Sequence, residues 1–266
     1  MPAKIMHLIM QDYVCRTRAQ KKAEADYAAL IADTQKADRL YNDLPETKGG
    51  SIISTDLARH LDARYASDSA KGRPCDLAPS WAHAWRYAQD RLDREISRRG
   101  RRSRLRLMSG GWGSGKTYAL ERLKETNTQA DLVWDGTLGD FKWARATMNK
   151  ALARDWQILV FHVHRNVELA LYGAIQRSLE EGRSVPLADL AGNHRKVQRV
   201  VKSLYRLFGN HPLIHFHLVH NTGTREVPGN SLLLDLETIA SGGALHYSTK
   251  YESYHAQAAK EIHRHG

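Results

Sequence analysis

The sequence predicts an α/β protein, a parallel sheet flanked by helices and preceded by a helical extension. Three observations predict it. From about Arg104 onward, short apolar runs alternate with helix-period stretches, the pattern of strand–helix–strand crossover units. A glycine-rich segment, SGGWGSGKTYAL, follows the first of those runs and opens a helix. The chain has 266 residues with 42% hydrophobic content, enough for one substantial core with extensions.

Residues 1–45 carry many Ala, Lys, Asp and Gln with spaced apolar residues such as Leu30, Ile31, Leu40 and Tyr41, which predicts one or two helices. ETKGGS then reads as a linker. TDLARHLDARYA, from Thr55, places Leu57, Leu61 and Tyr65 at four-residue steps after a polar start, an amphipathic helix. A further helix is predicted just after Pro79, through SWAHAWRYAQDRLDREI, with Trp81, Trp85, Ala88 and Leu92 on one side. Strands are expected at 105–109, 131–134, 157–164 and 213–220, and helices between them at about 116–125, 140–153, 167–181 and 193–208. Beyond Asn221 come Pro228, several glycines, the apolar run SLLLDLETIA and a His-rich tail. The predicted organisation is a helical extension over 1–50, the sheet domain over 51–224 and a C-terminal extension over 225–266.

Bulk properties narrow the partners. No run approaches eighteen consecutive apolar residues, and IMHLIM near the start is too short for a secretory signal or membrane span. No membrane association is expected, and the cytoplasm is the default site. Cys15 and Cys75 share no metal-type or redox-type spacing and read as ordinary thiols. The net charge of +11 favours anionic partners: nucleic acid, an acidic protein or phosphorylated small molecules. Much of the excess lies in RLDREISRRGRRSRLR, residues 91–106, which reads either as a solvated helix end favoured by the helix dipole or as a nucleic-acid contact.

The glycine-rich segment completes the pattern GxxxxGK[ST]: Gly110, four residues (Gly111, Trp112, Gly113, Ser114), then Gly115, Lys116 and Thr117. In such a loop backbone N–H groups close round the phosphates of a nucleoside triphosphate. The lysine adds a positive charge near the outer phosphates and the threonine hydroxyl binds magnesium. The strand before and helix after are the context this chemistry needs. Trp112 either shields the phosphates or packs on the core.

Phosphate binding alone does not define a reaction, so the next acidic residue at a strand end matters. In DLVWDGTL, Asp135 immediately follows the second strand, and ligands of open parallel sheets lie beyond the strands' carboxyl ends. Asp135 can hold magnesium through water, accept the proton of an attacking hydroxyl, or cap the turn before Gly136. Thr137 orients substrate or bonds the turn. HRNVELALYGAIQRSLEEGRSVP supplies Arg165, Arg177 and Arg183, cations suited to the charge that develops in phosphoryl transfer. On the helix Leu171, Ile175 and Leu179 form the expected apolar stripe. Arg177 falls on the other side, beside Ala170, Gly173 and Ala174. His162 with His164, and His215 with His217, each share a strand face, a conceivable metal site that lacks an accompanying carboxylate or Cys.

GGWGSGKTYAL, DLVWDGTL, VFHVHRNVELALYGAIQRSLEEGRSVP and AGNHRKVQRVV, in that order, resemble the zeta toxin group of P-loop kinases over roughly residues 105–221. The resemblance implies a P-loop kinase-like sheet and a small-molecule phosphotransferase. The best known members use ATP and magnesium to phosphorylate a sugar hydroxyl of UDP-N-acetylglucosamine, and related effectors phosphorylate dinucleotides. Lys116 and Thr117 match the loop residues, Asp135 to Leu138 match the strand-end motif, and Arg165 and Arg177 match the arginines near the transferred phosphate. Larger members carry an extra strand and a base aspartate before that motif. Here about eighteen residues separate Thr117 from Asp135, as in a shorter variant, in which the base role moves to Asp135 or the substrate differs.

The expectation is therefore a kinase that moves the γ-phosphoryl group of ATP, with Mg2+, to a hydroxyl of a small nucleotide-like acceptor. Lys116, Asp135, Arg165 and Arg177 would be catalytic, residues 110–117 would hold the nucleotide, and Thr117 and Asp135 would hold the metal. A toxin role implies an antitoxin protein. The alternatives are a polynucleotide kinase or other nucleic-acid-binding ATPase, and a non-catalytic nucleotide-binding module.

Overall fold

The computed structural model describes residues 18–62, 78–122, 130–181, 189–221 and 231–235. In chain order the helices are α1 (Arg18–Ala32), α2 (Thr34–Asp43), α3 (Thr55–Arg59), α4 (Ala78–Arg98), α5 (Lys116–Arg122), α6 (Phe141–Leu152), α7 (Val167–Glu181) and α8 (Leu190–Phe208). The strands are β1 (Ile52–Ser54), β2 (Arg104–Ser109), β3 (Leu132–Asp135), β4 (Gln157–His164), β5 (Ile214–Asn221) and β6 (Ser231–Asp235). Cys15, Cys75, Arg183 and most of the C-terminal extension lie outside the described residues. β1 with β3, β2 with β4 and β4 with β5 pair in parallel, and β5 with β6 pairs antiparallel. The protein is an α/β fold with five parallel strands and flanking helices.

Two compact units divide the chain. The first holds the described residues up to Arg99, Leu132–Asp135 and the described residues from Arg177 to Glu181. Asp33 caps α2 by accepting the Lys36 N–H at 3.1 Å, and the apolar faces of α1 to α4 meet in a cluster of Tyr27, Ala37, Tyr41, Ala58, Leu61, Ala84 and Tyr87. Burying tyrosines is tolerable only when their hydroxyls are bonded. Tyr27 donates to the Ala58 carbonyl at 2.8 Å, and Tyr41 donates to that of Ile52 at 3.1 Å while accepting the Ser54 N–H at 2.9 Å. Arg91 is 2% exposed. Its guanidinium bonds Asp38 at 2.7 Å and Asn42 at 2.6 Å, with the Tyr41 ring 4.7 Å from its carbon.

ETKGGS is more than a linker. Pro45–Thr47 form a 3-10 turn, Lys48, Gly49 and Gly50 follow with positive φ, and the chain then enters β1. A side chain at Gly50 would overlap the Asn42 amide and the Arg91 guanidinium. β1 pairs with β3, Ser54 opposite Asp135. Three residues between a glycine turn and a helix cap give no alternation to read, so this strand escapes a periodicity argument. α4 begins one residue before Pro79, which sits in the first turn, where its missing N–H costs nothing. The inner face of α4 also differs from expectation. Ala88 and Leu92 are fully buried, but Trp81 is 49% exposed and stacks on half-buried Trp85, while Ala84, Tyr87, Arg91 and Ile96 complete the buried side.

The second unit holds Gly100–Asp131, Gly136–Gln176 and the described residues from Asp189 onward. β4 lies between β2 and β5, with Ser109 opposite His162 and His164 opposite His220, and β6 runs antiparallel to β5. β2 and β4 are buried on both faces, so they read as continuous apolar runs rather than alternating ones, whereas β5 exposes His215. β4 shows six consecutive buried residues, Ile158 to Val163. Ala144, Met148 and Ala151 of α6 and Val197, Val201 and Leu204 of α8 are also buried. Trp156, fully buried, donates its indole N–H to the Gly100 carbonyl at 2.9 Å.

The arginine run is largely used internally. Arg91 and Arg94 pair with Asp38, Arg98 and Arg99 with Glu95, and Arg101 with Asp155. Arg104 donates to Gln157 at 2.8 Å, and Arg106, 4% exposed, lies over the Phe161 ring.

Candidate phosphate-binding site

The loop follows from where β2 ends. At Ser109 the chain leaves the sheet, passes Gly110 at φ 151° and the left-handed Gly113 and Gly115 at 72° and 82°, and enters α5 at Lys116. Only glycine reaches those last two conformations without strain. The next strand end secures the start of the loop. The Thr137 carbonyl accepts the Gly110 N–H at 3.4 Å and the Ser109 hydroxyl at 3.3 Å. Leu138 beside it is buried with φ 56°, a position uncommon for a branched side chain and held by its surroundings.

Each carbonyl of the loop is bound. Lys116 Nζ donates to those of Gly110 and Gly111 at 2.9 and 3.1 Å. His194 Nε2 donates to Trp112 at 2.7 Å, Arg165 Nη1 to Gly113 at 3.2 Å, and Asn221 Nδ2 to Ser114 at 3.0 Å. The Gly115 carbonyl accepts the Ala119 N–H at 2.9 Å, the first turn of α5. Asn193 accepts the Trp112 N–H at 3.1 Å. The Trp112 indole packs against Val167, Ala170, Ala174, Leu190 and Ala191, so of its two expected roles the structure shows core packing. On α7 the buried face is Val167, Ala170 and Ala174, with Leu171 and Ile175 only half-buried. Of the expected stripe, Leu171 and Ile175 give way to small residues, because the loop comes so close that a side chain at Gly113 would overlap the Ala170 carbonyl; the Leu179 side chain lies outside the described ones.

Burial sets the electrostatics. Arg165 is 6% exposed; desolvation lowers its pKa, yet a guanidinium stays charged at any ordinary pH. A Cβ at Gly173 would come 3.0 Å from its Nη1. His194 is pushed down to about 4 by burial, opposed by its bond to Trp112 and helped by the Lys116 charge. It is neutral, and since a carbonyl only accepts, its proton resides on Nε2. His162 is pushed down to about 3 by burial first, then by His164, His194, Lys116 and His220. The Ser109 hydroxyl spends its proton on Thr137, so its oxygen accepts the Nδ1–H of His162 at 3.1 Å. His164 meets His220 edge to face and His217 stacks on Phe161; no group of three or more metal-type ligands occurs among the described residues.

Of the expected site residues, the loop and Arg165 come together within the second unit. Asp135 ends β3 in the first unit, half-buried, and its charge is among the smaller influences on Tyr41, whose phenol burial pushes up. Arg177 is half-buried on α7, also assigned to the first unit. Thr117 presents an exposed side chain in the first turn of α5. The Ser114 hydroxyl is buried and has no hydrogen-bond partner among the described residues, an orphaned donor that fits a bound oxyanion. Sequence reasoning missed Ser109, Asn193, His194 and Asn221. Asn193 and His194 lie in the AGNHRKV motif, and Asn221 is the polar end of an apolar strand, but neither signal names a carbonyl partner.

The family model described as zeta toxin matches residues 123–215, about a third of the chain. The matched stretch begins after the loop and contains Asp135, Arg165, Arg177 and His194. Among curated proteins nothing matches. Among solved structures the chain is similar to one from a study of the PezAT chromosomal toxin-antitoxin system of Streptococcus pneumoniae. That likeness has 10% identity and a TM-score of 0.36, and covers 68% of this chain and 94% of that one.

Proposed function

We propose that the chain, which the zeta toxin family model matches over residues 123–215, is an ATP- and magnesium-dependent phosphotransferase acting on a hydroxyl of a small nucleotide-like acceptor. A sugar nucleotide of the UDP-N-acetylglucosamine type or a dinucleotide is the proposed acceptor class. The observation that carries the reading is the GxxxxGKT loop, its carbonyls all bound and Gly113 and Gly115 in the left-handed region, between a strand and a helix. That arrangement favours a polyphosphate at the amide side.

In this proposal the loop amides and Lys116 would hold the β- and γ-phosphates and the Thr117 hydroxyl would hold the metal, while Asp135 serves either as a further holder of the metal, through water, or as the base. Bound magnesium would neutralise charge on the phosphate oxygens. The acceptor oxygen forms a bond to γ-phosphorus as the bond to the β,γ-bridging oxygen breaks, and Asp135, in its role as base, takes the hydroxyl proton. Asp135 ends a strand two residues before the turn fastened to Ser109 and Gly110, which supports its assignment. Arg165, on the Gly113 carbonyl, and Arg177 stabilise the charge of the transferring group. A toxin role, with an antitoxin as protein partner and the cytoplasm as the working compartment, follows from the family; no helix among the described residues is long and apolar enough to cross a membrane.

Incubation with γ-labelled ATP, Mg2+ and pooled metabolites, followed by mass spectrometry, is expected to give a new phosphorylated species that Lys116→Ala abolishes. No labelled product from the unmodified chain would overturn the enzyme reading.

A second reading, nucleic-acid binding, is favoured by one specific observation. The packed helices α6 and α8 carry Lys142, Arg145, Lys150, Arg195, Lys196, Arg199, Lys202 and Arg206 and no Asp or Glu. On α8, residues 195, 199, 202 and 206 fall within one narrow arc at 100° per residue. If this face binds phosphate backbones, oligonucleotide affinity falls steeply between 50 and 200 mM salt and Arg199→Glu with Arg206→Glu removes it. Unchanged binding in that variant rejects this reading.

A further inference from the structure

We infer that His194 and Asn221 are positioning residues of the phosphate-binding loop, fixing two of its peptide planes so that amides rather than carbonyls face the polyphosphate. The inference rests on the nucleotide-binding reading above and adds to it the residues that shape the anion site.

In a trans peptide the C=O and the following N–H point in opposite directions. His194, holding the Trp112 carbonyl at 2.7 Å, therefore aims the Gly113 N–H away from itself, and Asn221, holding the Ser114 carbonyl at 3.0 Å, does the same for the Gly115 N–H. Both amides belong to left-handed glycines, at φ 72° and 82°, separated by Ser114. Alternation of this kind concentrates N–H groups on one concave side. A glycine peptide left unheld flips readily, and an anion arriving at such a loop must pay to order it. The two side chains remove that disorder in advance.

Three further features fit this role. Both groups are almost fully buried, 3% and 5% exposed, so their bonds are shielded from competing water. Both lie hard against the loop: a side chain at Gly111 would overlap the His194 ring, and one at Gly115 the Asn221 carboxamide. Both are neutral donors. A neutral imidazole and an amide hold their carbonyls without adding charge to a loop that Lys116 and Arg165 already serve. They come from the first turns of α8 and the last residue of β5, so two separate elements fix the one turn.

The test is titration calorimetry of the full chain with Mg·ATP and, separately, with tripolyphosphate. One hydrogen bond's worth of preorganisation corresponds to a loss of about fivefold to tenfold. His194→Leu and Asn221→Leu are each expected to weaken both ligands by that factor. His194→Gln, which returns an N–H donor, is expected to stay within about twofold of the parent. A purely structural role would lower thermal stability without moving tripolyphosphate affinity and without rescue by glutamine. If a leucine variant does not fold, Asn221→Ala and His194→Gln keep the comparison open, with an affinity loss in the first and none in the second. Folded His194→Leu and Asn221→Leu (or, failing that, Asn221→Ala) that bind as the parent does overturn this inference alone. A parent that binds neither ligand, and so behaves like Lys116→Ala, overturns the nucleotide reading and this one with it.

Discussion

Gly115 shows how one residue type can be required twice over. Its φ of 82° is a conformation that costs an L-residue about 1–2 kcal/mol, and the space a Cβ would take is filled by the Asn221 carboxamide. Gly115→Ala is therefore predicted to lower Mg·ATP affinity by more than tenfold and to destabilise the fold by about 2 kcal/mol, read by calorimetry and urea unfolding. Gly192, where a Cβ meets nothing within 4 Å, gives the control: Gly192→Ala should leave affinity unchanged. At this scale the loop was legible because glycine spacing, lysine and threonine are local in sequence. His194 and Asn221 were not, because their partners lie 82 and 107 residues away and a histidine or asparagine carries no mark of the carbonyl it serves.

The helices divide by how their ends and inner faces are specified. α6 begins where Asp140 accepts the Trp143 N–H at 3.0 Å, a cap visible in the sequence as an aspartate just before the apolar period. Asp140→Ala should cost about 1 kcal/mol, measured as a lower urea midpoint at unchanged slope. α2 and α4 are joined instead by a polar network, in which Asp38 pairs with Arg91 and Arg94 and accepts from Tyr87 at 2.8 Å. Removing one partner of a buried pair costs about 3–5 kcal/mol. The Asp38 side chain is 29% exposed, so Asp38→Ala is expected to lose about 2 kcal/mol, and Asp38→Asn less. Periodicity located α4 but misjudged its inner face, since Trp81 and Trp85 share the helical spacing of the core residues while Arg91 and Glu95, read as solvated charges, are buried. Hydropathy assigns an arginine to water; for Arg91 a carboxylate from another helix makes burial tolerable.

Across the whole molecule, the histidines buried in the second unit link stability to pH. His162 titrates at about 3 and His164 and His194 at about 4 in the folded chain, all lowered mainly by burial, against about 6.5 when unfolded. Below pH 6.5 the unfolded chain takes up protons that the folded chain refuses. Stability is therefore full above about pH 6.5 and is lost as pH falls toward 4. By pH 5 each such histidine contributes at most about 2 kcal/mol of loss. Urea midpoints at pH 7.5 and 5.0 should show the drop, and His194→Gln should shrink it. A flat profile would mean that these rings are not held neutral.

The sequence by itself determined the class of fold, the order of four main strands and the loop, because each depends on residues within a turn or a few residues of one another: apolar period, glycine spacing, a cap. It also held the charge of +11 without saying where that charge is spent. Tertiary structure decided that Arg91, Arg94 and Arg101 are taken up by Asp38 and Asp155, that a three-residue strand emerges from ETKGGSIIS, and that α8 and the end of β5 supply the donors for the Trp112 and Ser114 carbonyls of the loop. The physical reason is one of range. Backbone conformation is biased by near neighbours, whereas a buried polar group is satisfied by whichever partner the fold brings within 3 Å, and that partner's distance along the chain is unconstrained.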